Sequence, residues 1–151
     1  MAGIERQLAS HQVIGLDTSI FIYHLEAHPR YLPLTTLLLN SVQAGERQAV
    51  VSTVAFMELT VHPWRLDRPE VARQYEALLV NFPHLQVADV TRDVARRAAQ
   101  LRAGYQIRPA DALQVATAIV YGATAFVTND KGLTRLDDIL TILVLDAFVT
   151  D

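Results

Sequence analysis

The sequence predicts an α/β fold of three layers, with a central parallel sheet of about five strands covered by helices on both faces. Three observations predict it. Short β-branched apolar runs alternate with longer helical patterns along the chain. The runs are apolar throughout instead of alternating, as in strands buried on both faces. The chain is 151 residues long, the length of one domain, with 51% hydrophobic and 19% charged residues. We read residues 1–151 as a single domain whose core covers about 13–145.

The first strand is Val13 to Leu16, followed by a helix over Ser19 to Glu26 and another over Leu34 to Ala44, which leaves through Gly45. A second strand, Ala49 to Val51, precedes a helix from Val54 to His62. Pro69 suits the first turn of a helix over Glu70 to Asn81, and Leu85 to Val87 is the third strand. Thr91 caps a helix over Arg92 to Ala103 that exits at Gly104. Pro109 opens a helix to Tyr121, with Gly122 beyond it, and the last strands are Ala125 to Thr128 and Ile142 to Leu145.

Composition excludes several classes. With only 6 Gly and 6 Pro the chain is not disordered or repetitive, and with no Cys it has no disulfide, thiolate nucleophile or cysteine-held metal. Its apolar runs fall far short of the roughly 20 residues of a spanning helix, and Glu5 and Arg6 stand where a signal peptide would be apolar. We therefore expect a cytoplasmic chain with no membrane association. The net charge of −3 gives no global positive field, yet Lys131 is the only lysine among 13 basic residues, and arginine suits phosphate oxygens.

Ligands of open α/β sheets lie beyond the carboxyl ends of the strands. Asp17 directly follows the first strand, and Thr128, Asn129 and Asp130 close the fourth. Either acid alone reads more readily as a turn or helix cap. Glu58 falls about 40° from Val54 and about 60° from Val61 on a helix apolar nearly all round, where a charge would lack solvent. It must then be metal-bound, protonated or in a buried ion pair with an arginine. Asp111 lies in a first helical turn, where the helix dipole would also favour it. If the four meet, their repulsion calls for a cation, and an all-oxygen set suits Mg²⁺ or Mn²⁺ and metal-assisted phosphoryl transfer.

The motifs VIGLDTSIFIY with Asp17, VVSTVAFMEL with Glu58, RPADALQVATAI with Asp111 and TNDKGL with Asp130 resemble those of the PIN-domain ribonucleases. In particular they resemble the VapC-like toxins of bacterial toxin–antitoxin pairs. The resemblance runs from Val13 to Leu145. It implies a compact α/β/α domain, a Mg²⁺- or Mn²⁺-dependent endoribonuclease leaving a 5′-phosphate and a 3′-hydroxyl, a homodimer, and a small cognate antitoxin. By position it makes Asp17, Glu58, Asp111 and Asp130 the catalytic and metal-binding acids, with Thr128 and Asn129 in support. Two departures bear on substrate preference: Thr60-Val61-His62-Pro63-Trp64 follows Glu58 where the family often has a glycine, and Leu133 stands near a common aromatic position.

Arg92, Arg96, Arg97, Arg102 and Arg108 stand in one segment against a single acid, Asp93; the strip could guide an RNA backbone, with Arg92, Arg96 and Arg97 as the candidate contacts, or form a solvated helix face. The histidines show no zinc-like spacing beyond His24 and His28 at i, i+4. Trp64 could stack on a base or anchor a loop. Leu37, Leu38 and Leu39, with Ile20 and Phe21, are expected to expose part of their apolar surface to an antitoxin or a second copy. Rival readings are a phosphoacceptor receiver domain, disfavoured because Asp17 has no adjacent acid, a housekeeping RNA-processing PIN nuclease, and a non-catalytic PIN-like binding module.

Overall fold

The computed structural model describes residues 3–150. Five parallel strands form one sheet: β1 (Val13–Leu16), β2 (Gln48–Ser52), β3 (Leu85–Ala88), β4 (Ala125–Thr128) and β5 (Thr141–Val144), in the order β3-β2-β1-β4-β5. The chain builds outward from β1 through β2 to β3, then crosses back to place β4 on the other side of β1. That reversal puts a crevice beyond the carboxyl ends of β1 and β4, which pair with Leu16 opposite Val127.

The helices are α1 (Gly3–Leu8), α2 (Thr18–Leu25), α3 (Leu32–Gln43), α4 (Thr53–Arg65), α5 (Pro69–Val80), α6 (Arg92–Gly104) and α7 (Pro109–Val120). Short 3₁₀ turns follow β4 (Lys131–Leu136) and β5 (Leu145–Phe148). Local chemistry accounts for their starts. The Ser52 hydroxyl accepts from Val54 N–H at 3.0 Å and that of Thr91 from Val94 N–H at 3.2 Å, while Pro69 and Pro109 occupy first turns. Gly122 leaves α7 at φ 90°, a left-handed conformation that suits glycine. Gly104 is instead the last residue of α6, and the exit is extended Tyr105.

The two faces of the sheet carry separate cores, which makes the three layers. One joins Ile14, Leu16, Val51 and Val127 to Ile4, Ile20, Leu38, Val42 and Leu59. The other joins Phe126, Ile142 and Val144 to Val94, Leu101, Val115 and Leu136. α1 is held by burial of Ile4 and Leu8 and by the Arg47 guanidinium, which donates to the carbonyls of Leu8 and His11.

Two expectations are corrected here. Ile20, Phe21, Leu38 and Leu39 are all buried and Leu37 half-buried, because α2 and α3 pack against each other and the sheet. They offer little free apolar surface. Four exposed apolar residues lie on α4 and just after it, Met57, Val61, Trp64 and Leu66, and others are scattered at Leu78, Val80, Val90 and Val120. Consequently Glu58, on the same helix, is exposed and not sealed in an apolar face, and it forms no ion pair with an arginine among the described residues.

Candidate acidic site

Asp17 is the N-cap of α2 and begins the site. Its Oδ1 accepts from Thr18 N–H at 2.7 Å and its Oδ2 from the Thr128 hydroxyl at 2.6 Å, while its own N–H donates to the Val127 carbonyl at 3.0 Å. The carboxylate is thereby fixed across the β1–β4 seam. Burial pushes its pKa up, the Thr128 and Thr18 hydrogen bonds pull it back only in part, and the charges of Asp111 and Glu58 push it up further.

Thr18 carries the next link. Its hydroxyl donates to Glu58 Oε1 at 2.7 Å, and the Gln114 amide donates to the same oxygen at 2.7 Å, so Glu58 is held at the mouth of the crevice by α2 and α7 together. Gln114 Oε1 in turn faces Thr18 N–H at 3.3 Å. Gln114 is almost fully buried, at 3% exposure, in the middle of the apolar face of α7. The sequence reading passed over it. Its signal is a lone amide one turn beyond Asp111, on a face otherwise of alanine and valine.

Asp111 projects from the first turn of α7. Burial raises its pKa, and the Arg108 guanidinium, donating from Nε to Oδ2 at 3.1 Å, offsets part of that rise. Asp130 caps the 3₁₀ turn after β4: its Oδ1 accepts from Gly132 N–H at 2.8 Å and its own N–H donates to the Thr128 hydroxyl at 3.1 Å. Thr128 therefore touches two of the acids. Arg108 also reaches Asp130, with Nη2 at 3.9 Å from Oδ2.

Asn129 faces away from the acids. Its amide donates to the Tyr23 hydroxyl at 3.1 Å and its carbonyl accepts from Asp146 N–H at 2.9 Å, so it braces the loops after β4 and β5. Of the arginines, Arg96 pairs with Asp93 at 2.7 Å and Arg97 donates to Gln100 at 3.2 Å. Neither they nor Arg92 bonds to Asp17, Glu58, Asp111 or Asp130. The Trp64 side chain is exposed on α4.

The PIN-domain family model matches residues 14–139. The chain belongs to the PIN-domain family. Solved structures agree in fold with this PIN domain. A toxin–antitoxin complex from Klebsiella pneumoniae is similar at 20% identity and TM-score 0.62, over 87% of this chain and 97% of that one. FitAcB from Neisseria gonorrhoeae is similar at 20% identity and TM-score 0.65, again over 87% and 97%. VapC20 from Mycobacterium tuberculosis, a Sarcin-Ricin loop cleaving toxin, is similar at 18% identity and TM-score 0.58, over 75% and 86%. No curated protein matches by sequence.

The donor set of this PIN domain is chemically suited to a hard divalent cation: four carboxylates from the N-cap of α2, from α4, from α7 and from the turn after β4, with no sulfur or imidazole among them. As they lie, no three of the described acids or histidines are close enough together to grip one ion. Mg²⁺ is commonly held by one or two carboxylates and several waters, so the wider set still fits it. No helix among the described residues is long and apolar enough to cross a membrane.

Proposed function

We propose that this PIN domain is a Mg²⁺- or Mn²⁺-dependent endoribonuclease and the toxin of a toxin–antitoxin pair. What supports the reading is that Asp17, Glu58, Asp111 and Asp130 are linked pairwise around the crevice where the sheet order reverses, through Thr128, Thr18 and Arg108, with burial raising the pKa of both Asp17 and Asp111. Carboxylates so placed favour a cation among them. When bound, the metal lowers the pKa of a water and offsets charge on the scissile phosphate.

The chain's own residues prepare that chemistry. Thr18 and Thr128 hold both oxygens of Asp17 in place, so the first ligand is set before any ion arrives. Gln114 and Thr18 fix one oxygen of Glu58, and the other has no hydrogen-bond partner among the described residues. Arg92, Arg96 and Arg97 supply exposed or half-exposed positive charge for an RNA backbone. Antitoxin partnership is supported by the solved relatives crystallised as toxin–antitoxin complexes. The exposed Met57, Val61, Trp64 and Leu66 beside Glu58 give such a partner, or a second copy in a homodimer, an apolar surface to cover.

The test is cleavage of a structured and a single-stranded labelled RNA by the purified protein with Mg²⁺, Mn²⁺ or EDTA, beside an identically prepared Asp17→Asn variant. Metal-dependent cutting by the wild type alone is the expected result. Cutting by Asp17→Asn would overturn the assignment of the site.

A further inference from the structure

Arg108 stands at the N-cap of α7 and makes no capping bond there. Its guanidinium instead spans two elements: Nε donates to Asp111 Oδ2 at 3.1 Å, and Nη2 lies 3.9 Å from Asp130 Oδ2. Packing does not put it there, because the side chain is 79% exposed while that of Asp111 is only 14% exposed. The other arginine ion pairs, Arg30 with Asp146, Arg68 with Glu70 and Arg96 with Asp93, all lie outside the crevice. Arg108 is thus the one basic side chain, among the described residues, within 4.0 Å of any of the four acids.

We propose that Arg108 is an internal counter-ion of the acidic site, seated on Asp111 and Asp130 until a divalent cation displaces it. The inference rests on the metal-site reading above. A divalent cation held by Asp111 and Asp130 would compete with the Arg108 guanidinium for the same carboxylate charge, and a small doubly charged ion would attract those carboxylates more strongly than a delocalised single charge does. Arg108 has room to leave. Its stem is solvent-exposed, and the freed guanidinium fork suits a phosphate oxygen of incoming RNA. Because the guanidinium itself lies in solvent, its competition is modest, about two- to fivefold in an equilibrium constant.

Mn²⁺ affinity, read from the paramagnetic signal of the free ion, tests the idea on the full chain at fixed ionic strength. Arg108→Gln is expected to bind Mn²⁺ about two- to fivefold tighter than the wild type, and Arg108→Lys to stay near the wild type. In the wild type, the Arg108 Nε–H resonance should move to the position of a free arginine as Mg²⁺ saturates. Equal or weaker Mn²⁺ binding by Arg108→Gln, or a resonance that Mg²⁺ leaves in place, would refute the proposal. If Asp111→Asn binds Mn²⁺ as the wild type does, the metal-site reading itself fails and takes the proposal with it. A wild type that binds through Asp111 with Arg108 irrelevant is a distinct result. Since the Arg108 side chain is mostly exposed, neither variant threatens the fold.

Discussion

Replacing Gly15 by alanine tests how the site is assembled. Gly15 is the third residue of β1, two before Asp17, and α7 crosses directly over it. A Cβ built there would overlap the Cβ of Ala118 and stand 2.8 Å from Phe126 Cδ1. Both neighbours are 1% exposed, and the Ala118 methyl is fixed to the α7 backbone, so no side-chain rotation relieves the clash. Overpacking of this kind costs about 1–3 kcal/mol, and alanine returns about 0.4–1 kcal/mol by restricting the unfolded chain. A clash with a methyl that cannot rotate away belongs at the upper end of that range, so the net loss is about 2 kcal/mol, which lowers the melting temperature by about 4–8 °C in a domain of this length. α7 must also lift from the sheet, carrying Asp111 and Gln114 away from Asp17 and Thr18. A displacement near 1 Å costs up to about 100-fold in rate. Calorimetry and RNA cleavage on the same preparation check both effects. A melting temperature within about 1 °C of the wild type and unchanged cleavage would show that α7 is not seated on β1 through Gly15.

Three further outcomes follow from the geometry. Asp17→Asn should abolish cleavage yet melt above the wild type at neutral pH; the folded-state pKa of Asp17 is raised, so the ionised group opposes folding once pH exceeds that value. The difference between variant and wild type should shrink as pH falls toward 4, where the acid is increasingly protonated, and a pH-independent difference would count against the burial argument. Gln114→Leu keeps the volume of a buried position but removes a donor to Glu58, so cleavage should fall about tenfold, equivalent to about 1.4 kcal/mol, with the fold intact by circular dichroism. An Arg96→Ala, Arg97→Ala double variant should flatten the salt dependence of RNA binding by about 0.7 per lost phosphate contact, and an unchanged slope means that this helix face does not meet RNA.

The strands were legible because each is a short, mostly apolar run; the polar positions fall at strand ends, or, like Gln86, on the edge strand β3. The carboxyl-end rule then located Asp17 and Asp130 beside the β1–β4 seam. Helix faces were less legible. α4 is apolar nearly all round, and periodicity cannot say which side of such a helix meets solvent, so Glu58 was expected inside and lies outside. The same ambiguity reversed the roles of α3, whose leucines pack inward, and α4, which leaves Met57, Val61 and Trp64 exposed. α1 escaped notice because six residues give too little period to read.

The residues that organise the acids were the least legible, and the reason is physical. Thr18, Gln114 and Arg108 act through contacts that close only in three dimensions: Thr18 reaches Glu58 across 40 residues and Gln114 across 96. A motif identifies charges well because burying or clustering them is costly wherever they occur. It identifies their neutral holders poorly, since a threonine at a helix start or a glutamine in a helix has an innocent local role. What the sequence does offer is misfit: an amide on the alanine-rich face of α7, a turn beyond an acid, needs a partner once buried. Gln114 finds two, Glu58 and Thr18, and by joining α7 to both α2 and α4 it couples the positions of Asp111, Asp17 and Glu58. The acidic site is therefore a consequence of how three helices meet at the carboxyl end of the sheet, and substitutions at Gly15 or Gln114 should disturb it without touching a carboxylate.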